Sequence, residues 1–356
     1  IGRRFIAQGV VALLFTWSYK VFPILVPLAL FAVVCDRVAL GRIDPRPLIA
    51  TGLGIALGLI VNPWFPDNIG FLWNAIRMKI LTVHFHTSVG KEWYSADADY
   101  YLKHAFLPLL AYITGLLCTD RSEWRLDRAR LFWFLTATMW LVLTFKSRRF
   151  IEFLAPSAIL FLAFAARGWL ERCAIPGYRR RHRLHRPAAV ALLLVTISGW
   201  HAWGRIYETM KYANPGDAYK QCARWLIDHT PEGSRVFNVD WDDFPKLLFH
   251  DPHNSYIVGL DPDYMRLKDP ELYRKWRRIA RGKEHRHPAY DIVHDFGARY
   301  IFTDDGHAAF RWYADHNRFM KQRYHDDYCH VYEIVGDPVA AYRKATGDND
   351  PDPGSD

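Results

Sequence analysis

A chain of 356 residues allows two or three domains. Its mean hydropathy of −0.12 averages two unlike halves: apolar runs punctuated by Arg-rich loops up to Trp203, then a charged stretch rich in His and Asp. The net charge of +9 does not make a nucleic-acid binder of it, because the arginines concentrate between apolar runs and no recognised reader motif accompanies them.

The chain opens on Ile1 and enters an apolar segment at once, which reads as a fragment or a processed chain. Ile1-Gly2-Arg3-Arg4 is basic, but no signal-peptide cleavage region follows. A spanning helix needs about 20 mostly apolar residues. The candidates in chain order are Phe5–Ser18, Val21–Val34, Leu48–Ile60, Ala105–Cys118, Leu131–Phe145, Phe150–Ala166 and Ala188–Trp203. Several are short, and Pro23 and Pro27 leave open that the first two form one bent element. The expected architecture is an α-helical transmembrane bundle of about seven spans over residues 1–203, followed by a small extracytoplasmic α/β domain over 204–340 and a disordered tail over 341–356.

Loop charge sets the expected sides. Arg37, Arg42 and Arg46, then Arg121, Arg125, Arg128 and Arg130, then the arginines between Arg167 and Arg186 all fall on one side if every segment spans. The positive-inside rule makes that side cytoplasmic. The outer loop 62–104 and everything after Gly204 then lie outside, in a chain embedded in a lipid bilayer such as the bacterial inner membrane. Gly54 and Gly58 form a small-xxx-small pair that lets helices approach closely, or are ordinary glycines of a membrane helix. In the outer loop, residues 69–83 read as an amphipathic helix lying at the interface. His84 and His86 follow, with Glu92, Asp97, Asp99 and His104 nearby. His-x-His with carboxylates offers a divalent metal two ligands but no fixed third; a loop that helps to hold substrate is the competing reading.

One outward turn breaks the charge rule: Lys146-Ser147-Arg148-Arg149. Arginine forks match phosphate and lysine supplies a point charge, so the turn is a candidate phosphate site. Snorkelling, with an Arg148–Glu152 pair one helical turn on, explains it equally well. The stretch Lys146-Ser147-Arg148-Arg149-Phe150-Ile151-Glu152-Phe153-Leu154-Ala155-Pro156 resembles a recurrent segment of GT-C-type polytopic glycosyltransferases, in which a basic, aromatic turn opens a late proline-bearing membrane helix. The Tyr19-Lys20 hairpin and the plan of membrane helices before an outer α/β domain are similar as well. The resemblance implies transfer of a sugar from a polyprenyl-phosphate donor on the outer membrane face. That family keeps its catalytic Asp or Glu in a first outer loop that this chain does not include, so no catalytic acid is carried over.

Beyond Gly204 the pattern predicts strands at Val236–Val239, Tyr256–Val258 and Arg299–Phe302, a closing hairpin at Phe319–Tyr324 and Cys329–Ile334, and helices between them. No Gly-rich phosphate loop follows the first strand. Asp240, Trp241, Asp242 and Asp243 cluster just after it, where open α/β sheets bind ligands. They are candidates for meeting sugar hydroxyls or a cation on the acceptor side; helix capping by Asp242 or Asp243 is the plainer reading. Asp261, Asp263, Asp304 and Asp305 follow the next two strands. Cys222 and Cys329 can pair if this domain lies in an oxidising compartment. A non-catalytic membrane protein with an outer partner- or glycan-binding domain, or a transporter, remain the alternative functions. No cofactor is readable beyond a possible divalent metal, and the expected partners are the bilayer and a polyprenyl-phosphate-linked sugar.

Overall fold

The computed structural model describes residues 2–81, 90–119, 127–174, 196, 199–200, 202–284 and 286–347. The chain forms two compact units, Ile1–Gly204 and Arg205–Asp356.

The first unit is helical in its described residues. Its main helices are α1 (Gly2–Ser18), α2 (Leu25–Leu40), α3 (Arg46–Ile60), α4 (Asp67–Ile76), α5 (Ala98–His104), α6 (Phe106–Leu117), α7 (Arg128–Lys146) and α8 (Ile151–Ala174). About seven spans are not found. Among the described residues only two helical stretches are long and apolar enough to cross a membrane: Phe22–Leu40, where a 3-10 turn runs into α2, and Arg148–Arg167. Rise per residue explains the difference, because a 15-residue helix is about 22 Å long against a hydrocarbon core of about 30 Å. α3 has 15 residues and α6 has 12. α7 is long enough, with 19 residues, but it carries Arg128, Arg130, three threonines and two tryptophans. The segment at 188–203 falls largely outside the described residues. The alternation of sides drawn from seven spans falls with the count.

Close backbone approach joins α1 to α3. A Cβ added at Gly54 would stand 2.2 Å from the Gly9 carbonyl oxygen, and one at Gly58 would stand 2.8 Å from Thr16 Cβ. Trp17 Nε1 donates to the Gly58 carbonyl at 2.9 Å, and Gln8 Nε2 donates to Thr51 Oγ1 at 3.0 Å. α6, α7 and α8 share a second core around Tyr112, Trp140, Leu154 and Phe161. Asp36 on α2, 2% exposed, meets Arg128 Nε on α7 at 2.6 Å. Outward faces of these helices are apolar: Val10, Val11 and Leu14 on α1, Val26, Leu30 and Val34 on α2, and Leu53 and Leu57 on α3 are all exposed.

The second unit is an α/β sandwich. Its elements are α9 (Lys220–His229), β1 (Arg235–Asn238), α10 (Phe244–His250), β2 (Ser255–Tyr256), α11 (Asp263–Lys268), α12 (Pro270–Ala280), α13 (Pro288–His294), β3 (Tyr300–Asp304), α14 (Ala308–His316), β4 (Met320–His325), β5 (Cys329–Ile334) and α15 (Pro338–Thr346). The sheet runs β2-β1-β3-β5-β4. β2, β1 and β3 are parallel, and β5 and β4 close the sheet antiparallel. Side chains alternate across it with the two-residue period of a strand. Phe237, Ile301 and Tyr332 join one core with Trp276 and Ile292. Val236, Phe302 and Val331 join the other with Leu226 and Leu247. β2 is shorter than expected because a side chain takes over its ladder. Asn238 Nδ2 donates to the Val258 carbonyl at 2.7 Å, and its Oδ1 accepts from Val258 N at 3.0 Å. α15 covers the start of the stretch expected as a disordered tail, capped by Asp337 and ended by Gly347 at φ 73°; residues 348–356 lie outside the described residues.

Cys222 on α9 and Cys329 on β5 form a disulfide across 107 residues of chain. Closing a loop of that size removes unfolded-state entropy worth about 4–5 kcal/mol at most, with typical measured values of about 2–4 kcal/mol. Two outcomes are expected. Reducing this bond, or replacing both cysteines with Ala, lowers the stability of the second unit by about 2–4 kcal/mol in denaturant titration. Gly54→Ala lowers the thermal midpoint in detergent, because nothing can yield at the Gly9 backbone. Gly52→Ala, which meets open space, leaves the midpoint unchanged or raises it by the helix preference of alanine.

Candidate functional site

In the first unit the basic turn is built onto a strap of chain. α7 ends at Lys146, Ser147 is extended, and Arg148–Phe150 make one 3-10 turn before α8. Ser147 Oγ donates to the Glu92 carbonyl at 2.8 Å, and Arg148 N donates to the Tyr94 carbonyl at 3.1 Å. The Arg148 guanidinium donates to the Ser95 carbonyl through Nε and Nη2, each at 3.3 Å, and lies 4.5 Å over the Tyr100 ring. It therefore turns to the strap and not to Glu152. Arg149 pairs with Glu92 at 3.5 Å and sits 5.3 Å over the Trp93 ring, which Lys79 Nζ approaches at 6.0 Å. Lys146 is exposed. The three predicted cations thus share one turn but differ in setting: Arg148 fixes the strap, Arg149 lies against Glu92 and Trp93, and Lys146 is exposed. His84 and His86 lie outside the described residues.

In the second unit carboxylates gather at the C-terminal ends of β1 and β3. Asp240 follows β1, Asp304 ends β3, and His307 stands between them at the entry to α14. Its Nδ1 is 2.6 Å from Asp304 Oδ1, and its Nε2 is 3.3 Å from Asp240 Oδ2. Burial alone pulls the imidazole pKa down, but hydrogen bonds and charge from Asp240 and Asp304 raise it to about 10. Burial pushes Asp240 up, yet the hydrogen bond and charge of His307 hold it below the usual carboxylate range. Both ring nitrogens are engaged by carboxylates, so this histidine is a cation in place and presents no lone pair to a metal.

Asp243 is 3% exposed. Tyr219 OH donates to its Oδ1 at 2.6 Å, and its Oδ2 is buried with no hydrogen-bond partner among the described residues. Burial raises its pKa to about 7 against the lowering by Tyr219, with Asp304, Asp240 and Asp242 adding to the rise. Asp251 shows the contrast. Equally buried, it accepts from Asn254 N at 3.2 Å, Asn254 Nδ2 at 2.9 Å and Tyr256 OH at 2.8 Å. One carboxylate is fully satisfied and structural; the other is under-satisfied and titrates near neutrality, as acid–base groups do. Asp242, at the solvent edge, is raised to about 6, by burial first and then by Asp240.

The predicted quartet is not one surface. Asp240 and Asp243 turn to opposite partners, and Trp241 packs against the core on the Phe237 side. Asp263 pairs with Arg266 at 3.2 Å, and Asp305 with Arg311 and His330, each at 3.0 Å. Sequence reasoning missed His307 and Tyr219. Asp304-Asp305-Gly306 was noticed, and His307 is the next residue; nothing local marks Tyr219. Among the described residues one group has metal-ligand spacing, Cys222, Asp326 and Cys329, but the disulfide occupies both sulfurs.

No protein-family model matches the chain, and no curated protein matches it either.

Asp243 makes stability depend on pH in a stated sense. Its folded pKa of about 7 exceeds the ordinary 3.8, so the native state is undisturbed below pH 4 and loses stability as pH rises from 4 to 7. His307, raised from 6.5 to about 10, contributes stability that is whole below pH 6.5 and lost as pH climbs through 10. Asp243→Asn should therefore stabilise the second unit at pH 8 and make little difference at pH 4. Denaturant titrations at the two pH values check it, and an equal effect at both excludes the titration.

Proposed function

We propose that the chain acts as a membrane glycosyltransferase that draws its sugar from a polyprenyl-phosphate donor. The observation that carries this reading is the position and support of the basic turn. Lys146 and Arg149 stand at the head of Arg148–Arg167, one of the two helical stretches of spanning length and apolarity. The turn is held by a strap in which the Tyr100 ring backs Arg148 and the Trp93 ring backs Arg149.

A lipid phosphate has an apolar tail and a charged head, so its site needs fixed cations where a membrane helix meets water. Among the described residues the ion pair of Arg149 is a half-exposed contact to Glu92 at 3.5 Å, which a phosphate can displace while the Trp93 ring still backs the guanidinium. The exposed apolar faces of α1, α2 and α3 support a lipid surround. Exposed Trp64 and Trp73 support an interfacial position for the strap region. The Cys222–Cys329 disulfide supports an oxidising, extracytoplasmic compartment for the second unit. There Asp242 at the solvent edge and the partly exposed Asp240 offer acceptors to sugar hydroxyls, in line with an acceptor-side role, while the buried Asp243 does not.

The test is binding of polyprenyl phosphate to the chain in nanodiscs. Charge-assisted hydrogen bonds are worth about 1.5–3 kcal/mol each, so Arg149→Ala and Lys146→Ala together should weaken binding tenfold or more. Arg148→Ala should also disturb the strap, visible as faster proteolysis near Ser95. Unchanged affinity in the Lys146/Arg149 double variant rejects the proposal.

A further inference from the structure

At the other end of α14 from His307, a pocket of about 380 Å³ opens between α13, α15 and the turn leading into β4. Its position follows from the topology. α14 starts beside His307 and runs nine residues to His316, about 13 Å along its axis. β5 runs antiparallel to β3, so α15 begins at the sheet edge opposite the carboxylates.

The pocket joins an aromatic wall to positive charge. Tyr290 is stacked between partners, Tyr342 at 4.0 Å and His294 at 4.8 Å, and the His287 ring meets Tyr342 edge-on at 4.8 Å. Arg286 and Arg318 line the mouth with His316. The Arg318 guanidinium rests on the Phe319 ring at 4.6 Å, which limits its freedom. The His316 Nδ1 lies 2.7 Å from the Trp312 carbonyl oxygen. A carbonyl only accepts, so that nitrogen carries the proton and Nε2 is the one left for a ligand. Alanines 289, 341 and 345 on the walls keep the space open. Among the described residues no carboxylate lines it: Asp337, which precedes α15, is turned to the Ala340 amide at 2.9 Å, and Glu284 accepts from the Arg286 amide at 3.3 Å.

We infer that this pocket is a binding site for a small phosphorylated ligand with a flat ring face, a nucleotide or a sugar phosphate, separate from both sites described above. The volume is within the usual 300–1,000 Å³ of small-molecule sites. Two arginine forks suit a phosphate dianion, the lone pair left on His316 Nε2 can accept from a ligand hydroxyl, and the aromatic wall of His287 and Tyr342 suits a base or a pyranose ring. Neither half of the inference depends on the glycosyltransferase reading.

Calorimetric titration of the detergent-solubilised chain with a nucleoside monophosphate, a hexose phosphate and inorganic phosphate tests it. At least one ring-bearing phosphate should bind tenfold or more tightly than inorganic phosphate, and the stronger of the two identifies the ligand's source. Arg286→Ala with Arg318→Ala, both at exposed positions, should weaken that binding at least tenfold with the circular dichroism spectrum unchanged. Tyr342→Leu should bring the ring-bearing ligand down towards inorganic phosphate. Absence of binding by both ring-bearing phosphates, or binding indifferent to the double arginine change, overturns the inference.

Discussion

The second unit depends on a cation placed between two carboxylates. Parallel strands bring Asp240 and Asp304 to the same edge of the sheet, where two like charges in a half-buried setting repel. His307 lies within hydrogen-bond reach of Asp304 and at 3.3 Å from Asp240, and it neutralises that repulsion at the price of its own ability to act as a neutral base. Once those three groups are settled, the next carboxylate in line is left with the imbalance. Asp243 has one tyrosine partner and one orphaned oxygen. Its protonation near neutral pH is a consequence of the arrangement around it and not of burial alone.

The first unit answers a different constraint, the short reach of its helices. Helices such as α3 and α6, with 15 and 12 residues, are too short to cross a bilayer, yet their outward faces are apolar. They are held by close packing in place of length: glycine against backbone between α1 and α3, and aromatic side chains between α6, α7 and α8. The strap at residues 92–100 uses the same economy. Backbone carbonyls of Glu92, Tyr94 and Ser95 take the donors of Ser147 and Arg148, so the turn is fixed by the chain's own backbone.

Much of this was legible in the sequence, and what was not has a physical reason. All five strands fall within two residues of their expected places, because alternation of residues such as Val236 and Phe237 is a local signal. The Gly54–Gly58 spacing is read equally well as a close approach or as ordinary glycine, and the structure shows the close approach; the two cysteines of the second unit, able to pair in an oxidising compartment, are bonded. Helix length was misread because an apolar run looks the same whether it crosses a membrane or packs beside another helix; α3 and α6 are runs of the second kind in extent. The contacts of the site were harder. Tyr219 and Asp243 are 24 residues apart, and Asp240 and His307 are 67 apart, so only the crossover connections of a parallel sheet bring them together. The carboxylates were visible as a class, while the residue that organises them was not.

The length of α14 sets a distance. One end of that short helix starts beside Asp304 and His307, and the other finishes at His316, at the pocket that Arg286 and Arg318 line. The two ends are about 13 Å apart along the helix axis, beyond the Debye length of about 8 Å at physiological salt, so a charge placed in solvent at one end is largely screened from the other.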